Sequence, residues 1–130
     1  MIYVGDNIAN TQPFQHLIGT SAAVFVVGEV LKLTSGKLII ADFTSAGEQL
    51  YICQEAITGD GVNANIAVLA IRKDSIFEAK STGQLVAAKV GTLVTLHTDG
   101  VQVTIVATAG VFRILETDGA TLSTVRGQFV

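Results

Sequence analysis

The side chains able to do chemistry are few in this 130-residue chain, and they are scattered. One cysteine, Cys53, and two histidines, His16 and His97, make up the pool of thiol and imidazole groups. A zinc site wants roughly four such donors converging at short spacing, and no paired motif of that kind occurs here. Cys53 closes the apolar stretch Leu50-Tyr51-Ile52, has no second cysteine to bridge to, and reads as a small buried hydrophobe. Asp60, Asn63 and Asn65 offer oxygens, yet they lack the spaced acidic pattern ending in Glu that wraps calcium, so a polar turn is expected. Gly59-Asp60-Gly61 supplies only half of a dinucleotide fingerprint, with Ala64 standing where the third glycine would fall. Nucleophilic catalysis needs a hydroxyl or thiol held against a base, and no Gly-x-Ser-x-Gly elbow is present. Asp74 with Glu78, and Glu116 with Asp118, can be paired on paper, but a chain with 11 acids always offers such pairs. The expectation is therefore a protein that is not an enzyme, with no cofactor and no metal.

Composition narrows the class further. Only 15% of the residues are charged against 49% hydrophobic, and the formal net charge is -3. Such a chain is too apolar and too weakly charged to stay unfolded, and its length suits one domain with a real core. The 8 Lys and Arg residues are not clustered, which argues against a phosphate-binding footprint and hence against nucleic acid as a partner. The longest apolar stretch, Ser21 to Val27, is far short of a membrane span, and no signal peptide is visible, so synthesis in a cytoplasm and no membrane partner are expected.

The elements that would position any site are β-strands. Thr, Val and Ile supply 14, 16 and 12 residues, and branched side chains favour pleated surfaces over helices. From Ala22 onward, short apolar runs alternate with Gly, Asp, Asn and Ser. That pattern predicts an all-β fold, a small β-barrel or sandwich of short antiparallel strands with at most one short helix. Asp99-Gly100 predicts a hairpin over Thr92 to Val106, with Leu96 opposite Val103 and Val94 opposite Ile105. Its apolar face would hold Val94, Leu96, Val101, Val103 and Ile105, and its wet face Thr95, His97, Gln102 and Thr104, where His97 reads as a solvated imidazole. Ser35-Gly36 predicts a second hairpin that sets Leu33 against Leu38 and Leu31 against Ile40, with Lys32 and Thr34 outside. A third turns at Asp118-Gly119 between Val111 to Glu116 and Thr121 to Val130. Gln49 to Ile57, Asn65 to Arg72 and Ser75 to Lys80 are strand-like, Thr58 to Asn63 is a loop, and Gly83 to Lys89 is the one candidate helical turn.

Residues 1–21 read as an extended N-terminal arm ahead of a domain at 22–130. Asp6, Asn7, Asn10, Thr11, Gln12, Pro13 and Gln15 interrupt any period, while the arm's apolar residues are too many for a solvated tail. It should lie against its own body or against a neighbouring subunit. A weakly charged body with an apolar arm favours assembly, most simply as a homo-oligomer. The residues expected to anchor the arm on a partner are Ile2, Tyr3, Ile8 and Phe14.

Within the body, several stretches resemble the head decoration, or cement, proteins of tailed bacteriophages. They are Gly28-Glu29-Val30-Leu31-Lys32-Leu33, Gln49-Leu50-Tyr51-Ile52, Asp74-Ser75-Ile76-Phe77-Glu78-Ala79, Val90-Gly91-Thr92-Leu93-Val94-Thr95-Leu96, Asp99-Gly100 and Gly110-Val111-Phe112-Arg113-Ile114-Leu115. The resemblance implies a small β-rich body on the outer surface of the virion capsid, oligomeric with a trimer favoured. It also implies an N-terminal segment touching the major capsid protein, and it brings no catalytic residues. The alternatives are a phage tail or baseplate component, or a small β-barrel ligand-binding module.

Overall fold

The computed structural model describes residues 1–6, 15–41, 48–62 and 64–130. Its strands in chain order are β1 (Ile2–Asp6), β2 (Gln15–Ile18), β3 (Val24–Phe25), β4 (Val30–Thr34), β5 (Lys37–Ile40), β6 (Leu50–Cys53) and β7 (Ile57–Thr58). There follow β8 (Asn65–Ala70), β9 (Ser75–Ser81), β10 (Leu93–Val94), β11 (Gln102–Val103), β12 (Phe112–Thr117) and β13 (Thr124–Phe129). The helical turn is a single 3-10 turn at Ala87–Lys89, stopped by Gly91 with φ +88°. The fold is all-β, and it is a sandwich rather than a closed barrel.

The first sheet runs β1-β9-β13-β12-β10, with β11 added to β9. One edge of β9 is shared: β1 pairs antiparallel along Ser75–Glu78 and β11 pairs parallel along Lys80–Ser81. The second sheet runs β2-β8-β6-β4-β5, and β3 with β7 form a two-stranded ribbon beside it. Period-two alternation explains the first sheet well. Phe77, Phe112, Ile114, Val125 and Phe129 turn inward and are buried, whereas Lys80, Arg113 and Arg126 face out. Phe129 stands edge-on to both Phe77 and Phe112, with ring centroids 5.6 and 5.2 Å away, the arrangement aromatic quadrupoles prefer. Gly127 makes room for this, since a Cβ there would sit 2.5 Å from the Phe112 ring.

The second sheet is buried on both faces along its central strand, β6. Along β6, Leu50 and Ile52 join the main core against the first sheet, while Tyr51 and Cys53 join a second core with Phe25, Leu31, Leu38, Ile66 and Val68. That second core lies in the concave side of a curled sheet. The curl brings the ends of β2 and β5 together at a Gly19–Leu38 bridge, where the Thr20 N–H and hydroxyl both donate to the Leu38 carbonyl at 3.0 and 2.8 Å. Gly19 permits it, because a Cβ would stand 2.7 Å from the Phe25 ring.

The Ser35-Gly36 hairpin has the expected register, Leu33 with Leu38 and Leu31 with Ile40. Both turn residues take positive φ, 51° and 77°, as a tight two-residue turn requires. Its faces are less clean than the pattern suggests: Leu33 is exposed and Lys32 is half-buried, reaching Glu48 at 3.6 Å.

The Asp99-Gly100 hairpin departs from expectation beyond its tip. Leu96 does face Val103, and the His97 N–H reaches the Gln102 carbonyl. Thr95, however, receives the Thr104 N–H but gives its own N–H to Val106, which squeezes Ile105 out of register. The Thr104 hydroxyl reinforces this bulge by bonding Thr95 Oγ1 at 2.5 Å and accepting the Val106 N–H at 3.0 Å. Ile105 is consequently exposed, Thr95 is buried, and Val94 pairs with Phe112 instead of Ile105. In the third hairpin Phe112 and Ile114 are buried and Arg113 and Leu115 exposed, as alternation requires, and the bulge between Ile114 and Glu116 leaves Leu115 and Glu116 exposed in succession.

The N-terminal stretch is not an irregular arm where it is described. Ile2–Asp6 and Gln15–Ile18 are edge strands, one on each sheet, and the polar residues that broke the period fall mostly between them. Residues 7–14 lie outside the described residues.

Candidate functional site

The first strand is where the expected anchors meet the structure. Tyr3 turns inward, packs on the main core and lies 5.6 Å from Phe77, ring to ring, so it serves the fold. Ile2 points away, 63% exposed, and Val4 is 46% exposed after a register shift between Tyr3 and Gly5. Ile8 and Phe14 fall outside the described residues. The structure thus separates Ile2 from Tyr3 and adds Val4, which sequence reading missed. Alternation alone puts Ile2 and Val4 on one face and Tyr3 on the other, as observed, so the pattern Ile2-Tyr3-Val4 was the signal that could have found Val4.

The start of β1 is fastened to the bend before β4. The Met1 ammonium donates to the Gly28 carbonyl at 2.8 Å, and Gly28 has φ +91°. A Cβ on Gly28 would stand 2.7 Å from the Met1 nitrogen, so glycine is needed both for the conformation and for the close approach. Next along the chain Glu29 is buried, and its Oε2 has no hydrogen-bond partner. Burial pushes the Glu29 carboxyl above its ordinary value and nearby Asp99 adds to this, against a Val26 backbone hydrogen bond and the ammonium. Burial likewise lowers the ammonium, while Asp99 and Glu29 oppose that. The bend meets the Asp99-Gly100 turn directly, where the Val30 N–H donates to the Gly100 carbonyl at 2.7 Å. Burial pulls Asp99 upward, but hydrogen bonds from the Val101 and Gln102 N–H groups and from His97 outweigh it and hold it low. Sequence reading passed over Glu29, although a carboxylate inside Val26-Val27-Gly28-Glu29-Val30-Leu31 was a signal that something polar had to receive it.

The remaining candidates are kept apart and occupied. Cys53 is buried, its thiol donates to the Glu55 carbonyl at 3.0 Å, and burial pushes its pKa up, which makes it a poor nucleophile. Asp60 Oδ1 accepts the N–H groups of Val62 and Ala64, a polar turn closing on itself, and Asn63 lies outside the described residues. Asp74 is forked by Arg72 at 3.1 and 2.9 Å, and that hydrogen bond holds its pKa low. Glu78 and Glu116 flank Arg126 at 3.2 and 3.9 Å. Asp118 accepts the Ala120 and Thr124 N–H groups and is held low mainly by the first of these. Among the described residues no three His, Cys, Asp or Glu side chains gather to hold a metal. No described helix is long and apolar enough to cross a membrane.

No family model, no curated protein and no solved structure matches the chain.

Proposed function

We propose that the protein is a structural decoration protein, a capsid cement that binds the outside of a phage head and bridges subunits of the major capsid protein. One observation supports it above the others: an edge strand that is anchored inward by Tyr3 and offers Ile2 and Val4 to the outside. An edge strand with exposed apolar side chains is what strand addition to another chain uses. A cement protein needs no reaction. It stabilises the assembled shell by binding energy alone, multiplied over many copies.

The test is co-sedimentation of the purified protein with phage heads assembled from a major capsid protein, together with light scattering for its own oligomeric state. Deleting residues 1–21 would strip β1, β2 and the Gly19–Leu38 meeting point, so a point change is cleaner. Ile2→Asp should leave the fold intact, because the side chain is exposed, and should weaken head binding by about tenfold or more, as loss of an apolar contact at an interface centre does. Binding that is absent in the unaltered protein, or unchanged in the variant, overturns the proposal.

A further inference from the structure

The corner where Met1, Glu29 and Asp99 meet is a buried set of charges that the capsid reading leaves unused. Glu29 is 6% exposed and its Oε2 is unpartnered, so an ionised carboxylate there has lost water without a full replacement. Three elements bring titratable groups to it. The first strand brings the Met1 ammonium, the turn between β10 and β11 brings Asp99, and β6 brings Cys53, whose N–H donates to the Glu29 carbonyl at 2.8 Å. Asp99 in turn has His97 Nδ1 at 3.2 Å. With Asp99 ionised, the ammonium balances the corner when Glu29 is protonated. Ionising Glu29 leaves one negative charge in excess.

We propose that Glu29 is a proton-operated clasp for the first strand: protonated, it completes a charge-balanced corner that seats β1 on the Gly28-Glu29 bend, and ionised, it loosens the strand. The strand is suited to such release. Among the described residues it pairs within the sheet with β9 alone, two of its apolar side chains already face solvent, and Tyr3 packs inward on the Phe77 ring. Release frees the Ser75–Glu78 edge of β9 and turns Ile2–Asp6 into an extended segment able to pair elsewhere.

The sign follows from the direction of each shift. Glu29 is raised above 4.5, so its contribution to seating the strand is complete below 4.5 and is lost as pH rises through the folded value. The amine is lowered below 8.0, so its contribution is complete above 8.0 and is lost as pH falls, the opposite trend. Comparison with Glu29→Gln, which keeps the amine, isolates the carboxyl.

The experiment is amide hydrogen exchange on the isolated protein from pH 4 to 7, corrected for intrinsic rates, with β13 amides as an internal reference. Opening of β1 relative to β13 should rise several-fold with pH in the unaltered protein and stay flat or fall in Glu29→Gln. Identical profiles in the two proteins, or protection that rises with pH only when Glu29 is present, overturn the clasp. Should Glu29→Gln fail to fold, the 13C shift of the Glu29 carboxyl and the Tyr3 amide shift are followed through the same titration. A shared midpoint supports the clasp and unrelated midpoints overturn it. The strand's release is read without heads, so it stands or falls apart from the capsid reading. Only its use by a partner rests on that reading.

Discussion

The two sheets bury their residues in different ways. The first has one dry face, built on Phe77, Phe112 and Phe129, and one wet face carrying Lys80, Arg113 and Arg126. The second has almost no wet face over its middle: all four residues of β6 are buried, two toward each core. This difference contributes to the low charge of the chain. Strands buried on both sides have no positions at which Lys, Arg, Asp or Glu can be solvated. Where such a strand's neighbour carries a charge, the charge is managed, as with Lys32 against Glu48, or it is left in difficulty, as with Glu29.

The largest test of this contrast is to empty each core in turn. Phe112→Ala in the aromatic core and Phe25→Ala in the curled sheet should each cost about 3–5 kcal/mol in urea unfolding, since both side chains are fully buried. If the sheets form one cooperative unit through the shared β6, each variant shows a single transition, and a second transition for Phe25→Ala alone would break that unity. Next comes Gly127→Ala, which drives a methyl toward the Phe112 ring and the Arg113 carbonyl and should cost about 1–3 kcal/mol. Gly36→Ala meets nothing within 4 Å, so it should cost only the left-handed backbone strain, about 1–2 kcal/mol. The two glycine variants separate space from conformation, and reversing their order would overturn that distinction.

Smaller effects belong to the wet surface. Asp74 and Asp118 are held below 3.8, so their stabilising contributions are complete above that pH and are lost as pH falls through the lowered values. Urea midpoints measured from pH 5 to pH 2 should fall accordingly, and Asp118→Asn should flatten part of the slope. Arg126→Ala, which breaks two solvent-exposed pairs on the wet face of the first sheet, should change stability by less than about 1 kcal/mol, and by less again in high salt.

What was legible in the sequence is what local chemistry decides. Ser35-Gly36 and Asp118-Gly119 fixed two turns, and Leu31 with Ile40 paired as the alternation required. What was illegible is what distant partners decide. Val94 had a satisfactory neighbour in Ile105 by local pattern, but Phe112 offered a deeper pairing, and two threonines turned Ile105 outward. The parallel pairing of Gln102–Val103 with Lys80–Ser81 leaves no trace in either segment alone. The arm looked irregular because its two strands join different sheets, so no single period runs through it. At the candidate site Ile2 was visible as an anchor and alternation could have added Val4, whereas Glu29 needed a neighbouring turn.

The pairing of Ile2 with Glu78 has a consequence for the making of the chain. Ribosomes add roughly 5–20 residues per second, so the first strand is synthesised several seconds before β9, the strand that will hold it. Throughout that interval it is an unpaired apolar segment, and the loop that its docking closes is long and correspondingly slow to form. The contact between β1 and β9 therefore joins two segments made at well-separated times. In that interval another chain can compete for the strand.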